Sequence, residues 1–189
     1  MAALISRPKL LVVALALLGE AALATPDTFS EYEVKAAFLY NFAKFIDWPQ
    51  ESGAEPKQPF VIGVLGEDPF GQVLDETVAG KQVRGRGFVV KRFLSANDLE
   101  PCHILFIAAS ERRHLDPIFA RLRSRATLTV SEVEGFAESG GMINFTIDAL
   151  RVRFEINLVV LEDARLKANS QMLNLARIIR GPPRAPGES

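Results

Sequence analysis

The sequence predicts an α/β fold: a three-layer sandwich with a mostly parallel sheet, extended by a C-terminal antiparallel hairpin and finished by a C-terminal helix. Three observations predict it. Short apolar runs such as 60–65 and 103–107 fit strands buried on both faces. Amphipathic stretches alternate with them, as right-handed crossovers between parallel strands require. From 142 to 156 the pattern changes to period two with one wet face, the mark of an antiparallel hairpin.

In chain order, Arg7 and Lys9 precede an apolar run from Leu10 to Leu18, and then come Gly19, Glu20 and Ala22-Leu23-Ala24. That order of regions is a secretory signal cleaved after Ala24. The run is well short of the roughly 20 residues that span a bilayer. The expected product is soluble and outside the cytoplasm: one domain over 25–181 and a disordered tail over 182–189 after Gly181-Pro182-Pro183.

Ser30 and Glu33 form a capping box opening a helix that should run to about Asp47, before Pro49. At 100° per residue, Val34, Phe38, Phe42 and Phe45 make one stripe, with Tyr32, Leu39, Ala43 and Ile46 beside it. Lys35 falls between them and must reach solvent or meet a carboxylate or carbonyl. After the polar loop 51–59 comes the strand Phe60–Leu65, then a helix Asp68–Val78 with Asp68 as cap and Pro69 at its first position. Phe88-Val89-Val90 and His103–Ile107 are the next strands, with a short helix after Ser95 between them. Ser110 should cap a helix bearing Leu115, Ile118, Phe119 and Leu122, and Ala126–Val130 is a fourth strand. The hairpin Met142–Ile147 and Leu150–Ile156 turns near Asp148-Ala149, with Leu150, Val152, Phe154 and Ile156 inward and Arg151, Arg153 and Glu155 outward. A last helix, Ser170–Arg180, presents Met172, Leu175, Ala176 and Ile179 on one face.

Charge and composition exclude several function classes. The whole chain has net charge −1, and removal of 1–24 takes away two basic residues and one acidic, leaving −2. Lys and Arg are interleaved with Asp and Glu, without the concentrated basic patch of a nucleic-acid binder. A single cysteine, Cys102, allows no intramolecular disulfide. It is either a buried small apolar residue or the source of an intermolecular bridge.

Few parts for catalysis are legible. His103 and His114 lack metal-ligand spacing, and Cys102 and His103, adjacent on a strand, point to opposite faces. No cofactor or metal site is expected, and the chain is not expected to be an enzyme. The loop Gly66-Glu67-Asp68-Pro69-Phe70-Gly71 leads into a helix N-terminus but lacks the Lys and Ser/Thr of a phosphate loop. With Arg84-Gly85-Arg86-Gly87 it suggests an anion or nucleotide pocket through Gly66, Gly71, Arg84 and Arg86. The competing site is the first helix and its exit, where Phe38, Phe42, Phe45 and Trp48 form a candidate partner-binding surface.

The block from Glu33 to Phe45, EVKAAFLYNFAKF, ending in Trp48-Pro49, resembles the opening of the YfiR family of periplasmic regulators. Gly66–Gly71, Gly141-Met142-Ile143-Asn144-Phe145, Arg153-Phe154-Glu155-Ile156-Asn157 and the Leu-rich last helix continue the resemblance. It implies a non-enzymatic inhibitor that binds the periplasmic sensor domain of an inner-membrane diguanylate cyclase, lowering cyclic di-GMP and biofilm formation. It also implies an outer-membrane peptidoglycan-binding lipoprotein that captures the inhibitor. Other members of the family serve sensor kinases, so a small-ligand sensor feeding a membrane kinase or cyclase is the alternative, and a homodimer is a further partner to consider. Members with several cysteines carry structural disulfides, which this chain cannot share.

Overall fold

The computed structural model describes residues 30–49, 58–123 and 125–181. The expected signal over 1–24 and the tail over 182–189 lie outside those residues. Among them, α1 (Glu31–Phe45) leads into β1 (Ile46–Asp47), β2 (Phe60–Leu65), α2 (Val73–Val78), β3 (Gln82–Val83) and β4 (Arg86–Phe93). There follow β5 (Ile104–Ile107), α3 (Leu115–Leu122), β6 (Leu128–Ser131), β7 (Ile143–Asp148) and β8 (Arg151–Asn157). The chain then forms α4 (Leu158–Asp163), β9 (Lys167–Ala168), α5 (Ser170–Leu173) and β10 (Arg177–Ile179).

An eight-stranded sheet has the order β10-β8-β7-β6-β5-β2-β4-β3, and β1 pairs with β9 in a separate ribbon. The run β4-β2-β5-β6-β7 is parallel throughout, and β7-β8 is the antiparallel hairpin. The fold is therefore the α/β sandwich expected, with a mostly parallel sheet. On one face Ile62, Val64, Ile104, Phe106, Leu128, Val130, Ile143 and Ile156 pack against α1, α2, α4 and α5. On the other, Leu65, Leu105 and Ile107 meet α3 and the irregular segment carrying Val133 and Phe136.

The capping box at Ser30 is present: its N–H donates to Glu33 Oε2 at 2.5 Å, and Glu33 N–H donates to Ser30 Oγ at 3.3 Å. Several elements end elsewhere than local pattern suggests. α1 stops at Phe45 because Ile46 turns extended (φ −98°, ψ 138°) to pair with Ala168. α2 begins only at Val73, because Asp68 uses Oδ1 to accept from Phe70 N–H and Oδ2 to hold Arg92, while Gly71 takes φ +53°. Ser110 is no helix cap. It sits in a 3-10 turn, Ala109–His114, where its Oγ accepts from Glu67 N–H.

The C-terminus departs most. The expected helix to Arg180 ends at Leu173, and Arg177–Ile179 becomes an edge strand parallel to β8. The β-branched pair Ile178-Ile179 favours the extended form, and Arg177 pairs with Glu155, its direct register partner. The hairpin turns at Ala149-Leu150 (φ 45° and 63°), one residue beyond the expected position, as a tight two-residue turn needing φ > 0 twice. Leu150 is consequently fully exposed at the tip, and Glu155 is buried.

Candidate functional site

Of the four aromatic residues expected to face a partner, two are core. Phe42 is 1 % exposed between Phe38, Phe145 and Phe154, and Trp48, at 6 %, meets the edge of Phe60. Phe38 and Phe45 are half-buried, Phe38 also packing on Phe145 and Phe154. The face of α1 thus belongs to the core, with Phe38 and Phe42 covering Phe145 and Phe154 of the antiparallel hairpin. Large apolar residues that do reach solvent include Val89 and Leu94 on and after β4, and four at the hairpin tip and the adjacent edge: Ile147, Leu150, Leu175 and Ile178.

The four residues of the suggested anion pocket are not brought together. Gly66 N–H bonds to Phe93 O at the far end of β4, while Arg86 begins that strand. Seven residues of extended chain separate them, about 23 Å at ~3.3 Å each. At the Gly66 end a Cβ would lie 2.4 Å from Ser110 Oγ, so the loop is already filled. Its anchor is a residue the sequence reading overlooked, Arg92, which donates to Asp68 at 2.6 Å, Asp75 at 2.5 Å and Gly71 O at 2.6 Å. At the other end Arg84 holds Asp47 and Ile46 O, bracing the exit of α1.

Arg86 stacks on Phe60 beside His103, whose ring lies 4.3 Å from that of Phe60. Val61 N–H donates to His103 Nδ1 at 3.1 Å, so Nε2 carries the proton and faces Arg86 Nη1 as donor against donor. Burial, aided by Arg86, pulls the His103 pKa down to about 4. It is a neutral packing residue at ordinary pH. Cys102 on the opposite face is buried and its thiol is pushed up to about 12 by that burial, which favours the small-apolar reading over an intermolecular bridge. Among the described residues no group of three His, Cys, Asp or Glu is placed to hold a metal, and no helix is long and apolar enough to cross a membrane.

Lys35 meets carboxylates, as its position requires. Its ammonium is paired with Glu31 on α1 and with Glu132 beyond β6, and Tyr32 Oη donates to Glu132 at 3.3 Å. Burial works against its charge, yet hydrogen bonds to Glu132 and Glu31 hold its pKa above the usual lysine value. The group pins the start of α1 to the segment after β6. A cleft of about 710 Å³ opens beside it, lined by Glu31, Glu132, Glu134, Glu138 and Glu155 against Lys35 and Arg177.

A family model described as YfiR/HmsC-like matches residues 32–177, the span from α1 to β10. The chain belongs to the YfiR/HmsC-like family. That is a non-catalytic family of regulators of cyclic di-GMP signalling. No curated protein matches this YfiR/HmsC-like chain at a significant level. Among solved structures it is similar to the ABC domain from Streptococcus pneumonia in complex with L-Trp, at 12 % identity and a TM-score of 0.48. That match covers 64 % of this chain and 55 % of the other, so the chain spans about half the length of that protein.

Within the matched span, residues of 141–145 and 153–157 have structural duties. Asn144, 1 % exposed, accepts from Phe136 N–H through Oδ1 at 3.2 Å and donates through Nδ2 to Ser131 O and Phe145 O. Asn157, fully buried, donates to Ala137 O at 2.7 Å and accepts from Val160 N–H, capping α4. Gly141 lies against the Phe136 ring, where a Cβ would come within 2.1 Å. These residues tie down a segment, 132–142, that lacks regular structure and must satisfy its backbone by other means.

Proposed function

We propose that this chain is a periplasmic inhibitor that binds the sensor domain of an inner-membrane diguanylate cyclase and holds the enzyme in its inactive state, lowering cyclic di-GMP and biofilm formation. Family membership over 32–177 carries the reading. The physical requirement is differential affinity: a binder that prefers the inactive cyclase lowers its output, and a competitor for the binder restores it. An outer-membrane peptidoglycan-binding lipoprotein fits the competitor's part. Export, which the basic, apolar and A-x-A regions of residues 1–24 support, would deliver the chain to the compartment where such a sensor faces.

The contact surface we assign is the hairpin tip and its edge rather than the aromatic face of α1. Leu150 is 98 % exposed and Ile147 53 %, an apolar tip that gains by being covered. The test is a titration of the processed chain against the periplasmic domains of the host's cyclases. The expected result is saturable binding to one of them, weakened about tenfold or more by Leu150→Asp with an unchanged melting temperature, as loss of one apolar anchor implies. Absence of a saturable partner among those domains overturns the reading.

A further inference from the structure

Away from the acidic cleft, a second one of about 780 Å³ opens where the N-terminal ends of β6 and β7 meet the last turn of α3 and the end of α4. Its size lies within the roughly 300–1,000 Å³ of small-molecule sites. One part of its lining is apolar: Phe119, Leu122, Met142 and Val160. Three cations join it from two separate connections, Arg123 and Arg125 after α3 and Arg165 after α4. None of these three guanidinium groups has an ion pair or hydrogen bond among the described residues. Asp116 and Asp163 also line the cleft, which leaves three cations to two anions, the reverse of the cleft beside Lys35.

Arg165 supplies a second, independent observation. α4 ends in a left-handed cap, with Arg165 N–H donating to Glu162 O at 2.8 Å and Leu166 N–H to Leu161 O at 3.1 Å. The residue at that position takes φ > 0, here +62°, and glycine is the residue that does so without strain. The chain places an arginine there instead, and that residue is part of the cleft's lining. Inside, Thr129, 3 % exposed, accepts from Met142 N–H at 3.1 Å, which leaves its hydroxyl proton able to donate.

We propose that this cleft binds a small amphipathic anion, a carboxylate or phosphate monoester on an apolar body. Arg123, Arg125 and Arg165 hold the head, and Phe119, Leu122 and Met142 receive the body. The site does not depend on the partner reading above, since binding is measured on the chain alone.

The test is calorimetric titration of the full processed chain with laurate, with phenyl phosphate and with inorganic phosphate. One-to-one binding of laurate or phenyl phosphate is expected, with inorganic phosphate at least about tenfold weaker because it lacks the apolar body. Laurate alone assigns an acyl-chain source, and phenyl phosphate alone a soluble phosphate ester. Arg165→Gly should weaken binding about tenfold while raising the melting temperature by ~2–4 °C, since it relieves the left-handed strain. Arg123→Gln with Arg125→Gln should weaken binding without that rise. The proposal is overturned if neither organic anion binds saturably, if inorganic phosphate binds as well, or if the arginine variants leave binding unchanged.

Discussion

The two halves of the sheet are stabilised by different physics. Around β2 and β5 both faces are hydrocarbon: Ile62, Val64, Ile104 and Phe106 on one, Leu65, Leu105 and Ile107 on the other, all essentially without exposure. Around β6, β7 and β8 only the face toward α1 is apolar. The opposite face carries Thr127, Thr129, Ser131, Asn144, Glu155 and Asn157, all buried. The difference follows from what covers each half. The regular helix α3 makes its hydrogen bonds along its own axis and brings Leu115, Ile118 and Leu122 to the sheet. Segment 132–142 has little internal ladder, so the strands beneath supply donors and acceptors: Ser131 Oγ to Val133 N–H, Asn144 to Phe136 N–H, Thr129 Oγ1 to Met142 N–H.

Three measurements sharpen that contrast, the largest effect first. Phe106→Ala removes a fully buried ring that meets the edge of Phe70 at 4.8 Å, and chemical denaturation should show a loss of about 4 kcal/mol. A loss below about 1 kcal/mol would mean that this half repacks freely and is no rigid hydrocarbon core. Asn144→Leu keeps the volume but removes three buried hydrogen bonds, the one accepted from Phe136 N–H and those donated to Ser131 O and Phe145 O, at an expected cost of about 3 kcal/mol. Amide exchange should quicken first in 133–142, and uniform quickening across the sheet would break the distinction between the halves.

The third measurement is pH. His103 has its folded pKa pulled down to about 4, against an ordinary 6.5. Above pH 6.5 the ring is neutral folded and unfolded, and it adds no slope. Between 6.5 and 4 the unfolded chain takes up the proton and the folded one does not, so stability falls with pH, and below 4 the effect is complete. After discount for the ring's partial exposure the loss is about 2 kcal/mol. His103→Gln should flatten the stability curve over that window, and an unchanged slope would assign the acid sensitivity to carboxylates instead.

Much of the fold was legible because its causes are local. The Ser30–Glu33 box, the apolar run of β2, the alternation in β8 and the demand that Lys35 find a carboxylate all rest on neighbours within a few residues or on burial itself. The partner that met Lys35, Glu132, was not legible, being 97 residues away. Neither was Arg92, whose pattern is that of any exposed strand arginine until Asp68 and Asp75 are brought beside it. The suggested pocket failed for a related reason: two loops were joined by residue type, when parallel strands put one at each end of the sheet.

By itself, then, the sequence determined the class of the fold, the alternation of its strands and helices and the antiparallel hairpin, since periodicity and caps act at short range. Tertiary structure decided where those elements stop and which side chains meet. It turned Arg177–Ile179 from helix to strand because β8 offered an open edge and a buried Glu155. It also gathered Arg123, Arg125 and Arg165 around one cleft, because two chain segments that end far apart in sequence come to rest side by side.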